Sequence, residues 1–367
     1  MHVDQVELRV VRLPYKSAFK TSFAVETEKV ATIVTVRSDG VEGYGEGVMD
    51  TLPAYREESV VGALHLLREA LVPSLLDNDC DDPMTLSDSW KGWRGNPMAK
   101  AALELAVWDC HARQLGVPLR TLLGGDLTEV QVGASLGMNP VPETVASVAR
   151  HVEQGYKRIK LKIEPGWDVD LLSAVRAEYP DIELTVDANS AYTLDDIDIL
   201  HKIDQFELHY IEQPLHWDDL VDHAALALQM QTALCLDESL TSPARVKAAL
   251  DLAACSVVNV KVGRVGGLAA TKRIHDLCVD RGVPMWVGGM FETGVGRAHN
   301  IHVATMPGFV YPGDTASASR TYARDITEQA LEATDGVMPV PQGAGIGVTL
   351  DRAFLESVTE SVEVLRR

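Results

Sequence analysis

Five charged residues recur along the middle of this chain at a nearly constant step, each at the end of an apolar run. Lys162 closes Arg-Ile-Lys-Leu-Lys, Asp187 closes Leu-Thr-Val-Asp, Glu212 follows Tyr-Ile, Asp237 follows Cys-Leu and Lys261 follows Val-Asn-Val. The intervals are 25, 25, 25 and 24 residues. Carboxylates gathered at one place repel one another unless a cation stands between them. Three hard oxygen donors with no His or Cys beside them suit Mg²⁺, with Mn²⁺ or another divalent ion as a substitute. Such an ion keeps positions open for a substrate carboxylate, whose α-carbon would then lie between two amines, Lys162 and Lys261. That arrangement serves proton abstraction α to a carboxylate: a neutral lysine takes the proton while cations stabilise the enediolate oxygens. Any one of these acids alone reads as a helix cap or an ion-pair partner. Three in register, with a lysine on either side, read as a site.

A step of about 25 residues suits one strand, one helix and two loops. Apolar runs near 130–135, 157–162, 182–187, 207–212, 233–237, 256–261, 284–288 and 308–311 read as eight strands, with helices between them such as Asp168 to Glu178 and Leu268 to Arg281. Polar residues at successive strand ends are what a β/α barrel with its site at one mouth requires. Along 158–163, alternation puts Arg158, Lys160 and Lys162 on one face and Ile159, Leu161 and Ile163 on the other. Lys160 is thus a cation beside Lys162, and neighbouring positive charge favours a neutral lysine. Asn189 and Glu238 fall just past the acids, either supporting them or at the surface.

Before the repeat, residues 3–13, 31–36 and 41–45 read as strands, the last two joined by the turn Ser38-Asp39-Gly40. Residues 56–75 and 97–115 carry helical periodicity. The expected architecture is α/β: a (β/α)8-type barrel over 126–321, with an α+β capping domain formed by 1–125 and the C-terminal segment 322–367. That tail is rich in Pro and Gly over 337–350, has a short helix near 352–360, and is expected to return to the cap.

The chain has 367 residues and is 46% hydrophobic, enough for a barrel of about 250 residues plus a smaller module. A net charge of −20 argues against nucleic acid and anionic membrane as partners. Five cysteines, Cys80, Cys110, Cys235, Cys255 and Cys278, form no Cys-x-x-Cys and read as free buried thiols. The N-terminus has no apolar signal core, and no apolar run is long enough to span a bilayer. The expectation is a cytoplasmic homo-oligomer acting on a small-molecule carboxylate.

Lys-x-Lys on the second strand, Asp, Glu and Asp on strands three to five, and Lys on strand six resemble the enolase superfamily in its muconate-lactonising-enzyme subgroup. The blocks 158–168, 186–194 and 288–297 resemble the o-succinylbenzoate synthase / N-succinylamino acid racemase family. The resemblance covers essentially the whole chain. It implies Lys162 and Lys261 as the acid/base pair and Asp187, Glu212 and Asp237 as Mg²⁺ ligands. It also implies that loops around Thr21–Phe23 and Val48–Leu52 close over the substrate, with Phe23 and Met49 at the site. Ser135, Met290 and Phe291 fall where the family lines its pocket, and Arg264 matches an arginine of members with racemase activity. The implied activity is racemisation of N-succinyl or other N-acyl amino acids together with o-succinylbenzoate synthesis; synthesis alone, dipeptide epimerisation and cycloisomerisation are the alternatives. Dipeptide epimerases carry Asp-x-Asp near strand eight to hold an amine, whereas this chain has Gly313-Asp314-Thr315-Ala316. The mandelate-racemase subgroup places a histidine on strand seven, where this chain has Gly288-Gly289. Apart from the resemblance, the residues leave open a Schiff-base aldolase using Lys261 and a binding protein on an enzyme fold.

Overall fold

The computed structural model describes residues 1–20 and 25–367. At one end lies an antiparallel sheet of β1 (Gln5–Lys20), β2 (Val25–Ser38), β3 (Val41–Gly47) and, from the far end of the chain, β13 (Thr359–Arg366), in the order β13-β1-β2-β3. Alternation along β1 divides its work. Val6, Leu8 and Val10 pack into the core of this cap, whereas Val11 and Leu13, on the other face, join the core shared with the barrel. The helix Pro97–Leu115 lies so close to β3 that only glycine fits opposite it. A Cβ on Gly43 would stand 2.2 Å from the Cys110 nitrogen, and one on Gly45 2.2 Å from the Ala102 oxygen.

Two buried carboxylates of the cap join it to the barrel by capping barrel helices. Glu104 accepts from the Leu268 and Ala269 amides at 2.6 and 2.8 Å, at the start of the helix Leu268–Arg281. Glu46 accepts from the Thr293 and Gly296 amides at 3.0 and 2.8 Å, at the start of Gly294–Val303. Helix N-termini leave amides unpaired, and the helix dipole favours negative charge there.

The barrel strands are β5 (Ala134–Leu136), β6 (Arg158–Lys162), β7 (Glu183–Asp187), β8 (Ile211–Glu212), β9 (Leu234–Leu236), β10 (Val257–Val260) and β11 (Met285–Val287), all parallel, in the order β11-β10-β9-β8-β7-β6-β5. Two expected strands differ from the sequence reading. The run 130–135 is split: β4 (Glu129–Gln131) pairs antiparallel with β12 (Val337–Pro339) outside the ring, and only β5 enters it. Segment 308–311 forms no regular strand. Pro307 and Pro312 lack amide donors and Gly308 sits at φ +90°. The ring is instead closed by single parallel bridges, Met285 with Phe309 and Val132 with Gly313. After the helix Arg352–Ser357 the tail adds β13 beside β1. All five cysteines are free and buried. Among the described residues no helix is long and apolar enough to cross a membrane.

Candidate active site

Each charged residue of the 25-residue step stands at a strand end. Lys162, Asp187 and Glu212 are the last residues of β6, β7 and β8, while Asp237 and Lys261 follow β9 and β10 directly. Cross-strand register brings Lys162 beside Asp187 and Asp187 beside Glu212. The Lys162 ammonium donates to Asp187 Oδ2 at 2.7 Å and to Asn189 Oδ1 at 2.6 Å. Across the acid trio, Lys261 pairs with Asp237 Oδ2 at 2.8 Å. Lys160 lies deeper. It donates to Glu212 Oε2 at 2.9 Å, pairs with Asp314 Oδ2 at 2.7 Å and sits 4.7 Å from the Trp286 ring centroid.

These groups are buried, so their charges must balance locally. Asp187, Glu212, Asp237 and Glu238 face Lys160, Lys162, Lys261 and Arg264. Burial pushes the Lys261 ammonium down, but Tyr55, Glu238, Glu212 and Asp187 more than reverse this and hold it above the ordinary lysine value. For Lys160 burial acts likewise and is outweighed by Asp314, Glu212 and Asp187. Burial raises Asp187, yet Lys162 and Lys160 bring it below the usual carboxylate range. Glu212 is raised by burial and by the adjacent Asp187 charge.

A cavity of about 530 Å³ opens over this mouth. Lys160, Lys162, Asp187, Asn189 and Lys261 line it, as do Ser135, Met290 and Phe291, which fall where the resembled family lines its pocket. Glu212, Asp237, Glu238 and Arg264 lie beneath the lining. Glu238 accepts from Asn189 Nδ2 at 2.9 Å through Oε1, and its Oε2 is buried without a partner among the described residues. Arg264 is fully buried, donates to the Leu240 and Asn259 carbonyls at 2.9 and 2.6 Å, and pairs with Asp237 Oδ1. Met49 is a correction. It is 1% exposed and packs in the cap core against Gly47, so it does not line the cavity; Asp50 and Tyr55, farther along the same loop, do. Phe23 and the segment Thr21–Phe23 lie outside the described residues. The flanking hairpin reaches the mouth: the Phe19 ring meets Phe291 edge-on at 4.7 Å, and the Lys20 carbonyl accepts from the Met138 amide at 3.2 Å.

Tyr55 was not foreseen. It comes from the cap, donates to Asp237 Oδ1 at 2.9 Å, accepts from Lys261 at 3.2 Å and from Arg264 at 3.3 Å, and offers its ring face to Lys261 at 4.6 Å. Nor was the pairing of Arg158 with Asp314, at 2.6 Å, beside Lys160. Four non-glycine residues at this mouth adopt positive φ: Asn189 (43°), Ser190 (68°), Gln213 (37°) and Phe291 (53°). Strained backbone of this kind persists where the surroundings over-determine it, which is common at functional sites.

Among the described residues no three His, Cys, Asp or Glu side chains converge as a ready metal cage. In this arrangement each acid of the trio is held by a cation instead. The donor set still fits a hard divalent ion: oxygen only, buried, at adjacent strand ends, with an unpartnered Glu238 oxygen beside it.

A ring of parallel strands presenting lysines and carboxylates at its C-terminal mouth, roofed by an α+β cap, defines a capped β/α-barrel enzyme. Residues 143–354 match the family described as enolase C-terminal domain-like, and residues 5–124 match the mandelate racemase / muconate lactonizing enzyme N-terminal domain. The chain belongs to this mandelate racemase / muconate lactonizing enzyme family of the enolase superfamily, whose members in general depend on a divalent metal ion. It is 51% identical over 360 residues, 98% of each chain, to an N-succinylamino acid racemase of Thermus thermophilus. It is 47% identical over 369 residues, 100% of this chain and 98% of the other, to an o-succinylbenzoate synthase of Geobacillus kaustophilus. A crystal structure of an enolase-superfamily member from Listeria innocua superposes with a TM-score of 0.97 at 38% identity, covering 100% of this chain and 99% of that one.

Proposed function

We propose that this protein is a Mg²⁺-dependent racemase of N-succinyl and other N-acyl amino acids that also carries out o-succinylbenzoate synthesis at the same site. The observation that carries the reading is the placement of Lys162 and Lys261 on one cavity, at strand ends on either side of three buried carboxylates. The names of the relatives from Thermus thermophilus and Geobacillus kaustophilus support both activities.

Asp187, Glu212 and Asp237 would hold the ion, which when bound supplies positive charge to the enediolate oxygens. Lys162, neutral, takes the α-proton from one face of the substrate. Lys261, as ammonium, returns a proton to the other face, and the two exchange roles for the opposite enantiomer. In synthesis the same abstraction by Lys162 is followed by departure of the hydroxyl group, which takes up the proton now on Lys162 and leaves as water, while Lys261 remains a cation beside the anion. Asp314 speaks against a free-amine dipeptide as substrate, because Arg158 and Lys160 already occupy its carboxylate.

Purified protein with Mg²⁺ is expected to racemise N-succinylphenylalanine, and Lys162→Ala to abolish it. Racemisation at the parent rate by Lys162→Ala would refute the assignment.

A further inference from the structure

The cavity continues past the lysines to a second group of cations that the reaction does not use. Arg297 and Arg320 line it together with His151, Ser147 and Ser317. Arg297, 5% exposed, spends its guanidinium on carbonyls. Its Nη1 donates to Ala316 O and its Nη2 to Glu292 O at 3.2 Å, while its Nε is buried without a partner. Arg320 lies at the end of a single helical turn with its guanidinium 5.5 Å from the Tyr156 ring centroid. Among the described residues no carboxylate stands within ion-pair distance of either guanidinium. Asp314, which acts on Arg320, is taken by Arg158 and Lys160, and Asp325, which Arg297 favours as an anion, accepts from the Gly294 and Ile326 amides. Glu292 offers Arg297 its backbone carbonyl, not its carboxylate. Burial depresses the pKa of Arg320, which Tyr156 and Asp314 only partly offset and to which Arg297 adds. His151 faces Arg320 and is itself depressed, by burial first and by Arg320 next, so it brings no negative charge.

Two sheltered guanidiniums without a counter-ion, in the cavity that holds the reacting carbon, call for an anion from the ligand. We infer that Arg320, supported by Arg297, forms a second anion subsite that binds the distal carboxylate of the substrate's acyl chain. This rests on the proposed function and deepens it: the preferred substrates are dicarboxylates, with one carboxylate at the lysine–acid mouth and the other at Arg320. A neutral acyl chain of the same length would leave the guanidiniums unpaired.

The test is calorimetric binding of N-succinylphenylalanine and N-butyrylphenylalanine to the Mg²⁺-loaded protein. The two acyl groups have the same number of carbons and differ by the terminal carboxylate. Wild type should bind the succinyl ligand about ten- to hundred-fold tighter, a preference that falls as chloride is raised. Arg320→Gln should remove most of that preference, through weaker succinyl binding, and Arg320→Lys should keep part of it. Equal binding of both ligands by wild type, or an undiminished preference in Arg320→Gln, would overturn the subsite. Absence of racemisation would instead count against the proposed function, since binding is read separately from turnover.

Discussion

Tyr55→Phe removes one oxygen that three groups share. In the wild type that oxygen donates to Asp237 at 2.9 Å and accepts from Lys261 at 3.2 Å and Arg264 at 3.3 Å. Asp237 keeps its other partners, because Arg264 and Lys261 both pair with it directly. The ring also stays, and with it the aromatic face 4.6 Å from the Lys261 ammonium. Of the three hydrogen bonds removed, the one that Lys261 itself loses, with a charged amine as donor, is worth about 1.5–3 kcal/mol. Its length puts the loss at the low end, or about ten- to thirty-fold in the rate of a step that depends on Lys261. Lys162 has no contact with Tyr55; its partners are Asp187 and Asn189. The variant should therefore slow delivery of a proton from the Lys261 face while leaving abstraction by Lys162 largely intact. The assay is turnover of each enantiomer of N-succinylphenylalanine in heavy water, with α-proton exchange and loss of optical activity followed in the same sample. For the enantiomer served by Lys162, exchange without inversion should rise relative to racemisation by about ten-fold. If exchange and racemisation fall together by the same factor, or neither changes, Tyr55 does not act through Lys261.

Other consequences follow from the buried charges. Chelation with EDTA should abolish turnover and added Mg²⁺ should restore it; full activity in EDTA would remove the ion from the account. Asp314→Asn leaves the buried Arg158 without its partner and should cost about 3–5 kcal/mol in urea unfolding; a loss under about 1 kcal/mol would show the pair to be dispensable. Glu46 and Glu104 are pushed up to about 7 by burial, against an ordinary value of 4.5. Between those values the folded chain binds more protons than the unfolded one. Their contribution is therefore fully present below pH 4.5 and is lost as pH rises through about 7. Each accounts for at most about 3 kcal/mol, less where the helix N-terminus favours the anion. Unfolding midpoints from pH 5 to 8 should fall, and fall less steeply in Glu104→Gln; an equal slope in the variant would assign the pH dependence to other groups.

The strand-end residues were legible in the sequence because a barrel turns position along the chain into position around a ring. Lys162, Asp187, Glu212, Asp237 and Lys261 each needed only an apolar run before them and a regular step between them. The residues that were missed carry no such local mark. Tyr55 meets Asp237 across 182 residues and Arg158 meets Asp314 across 156, and both pairings depend on how the cap and the last barrel segment come to rest. Met49 misled because it sits in the right loop; the neighbouring Gly47 and the cap helices draw it inward. The eighth strand failed where prolines remove the donors that a ladder needs. β13 did carry a signal, the alternation Val362-Glu363-Val364, but a largely exposed edge strand offers little apolar contrast to read.

The central claim is that two amines serve opposite faces of one carbon, and stereospecific exchange reads it most directly. Lys162→Ala and Lys261→Ala would each be incubated in heavy water with the separate enantiomers of N-succinylphenylalanine, and α-proton exchange followed by NMR. Neither variant should racemise, Lys261→Ala should still exchange one enantiomer, and Lys162→Ala should exchange only the other. Exchange of the same enantiomer by both variants, or of both enantiomers by either, would contradict the claim.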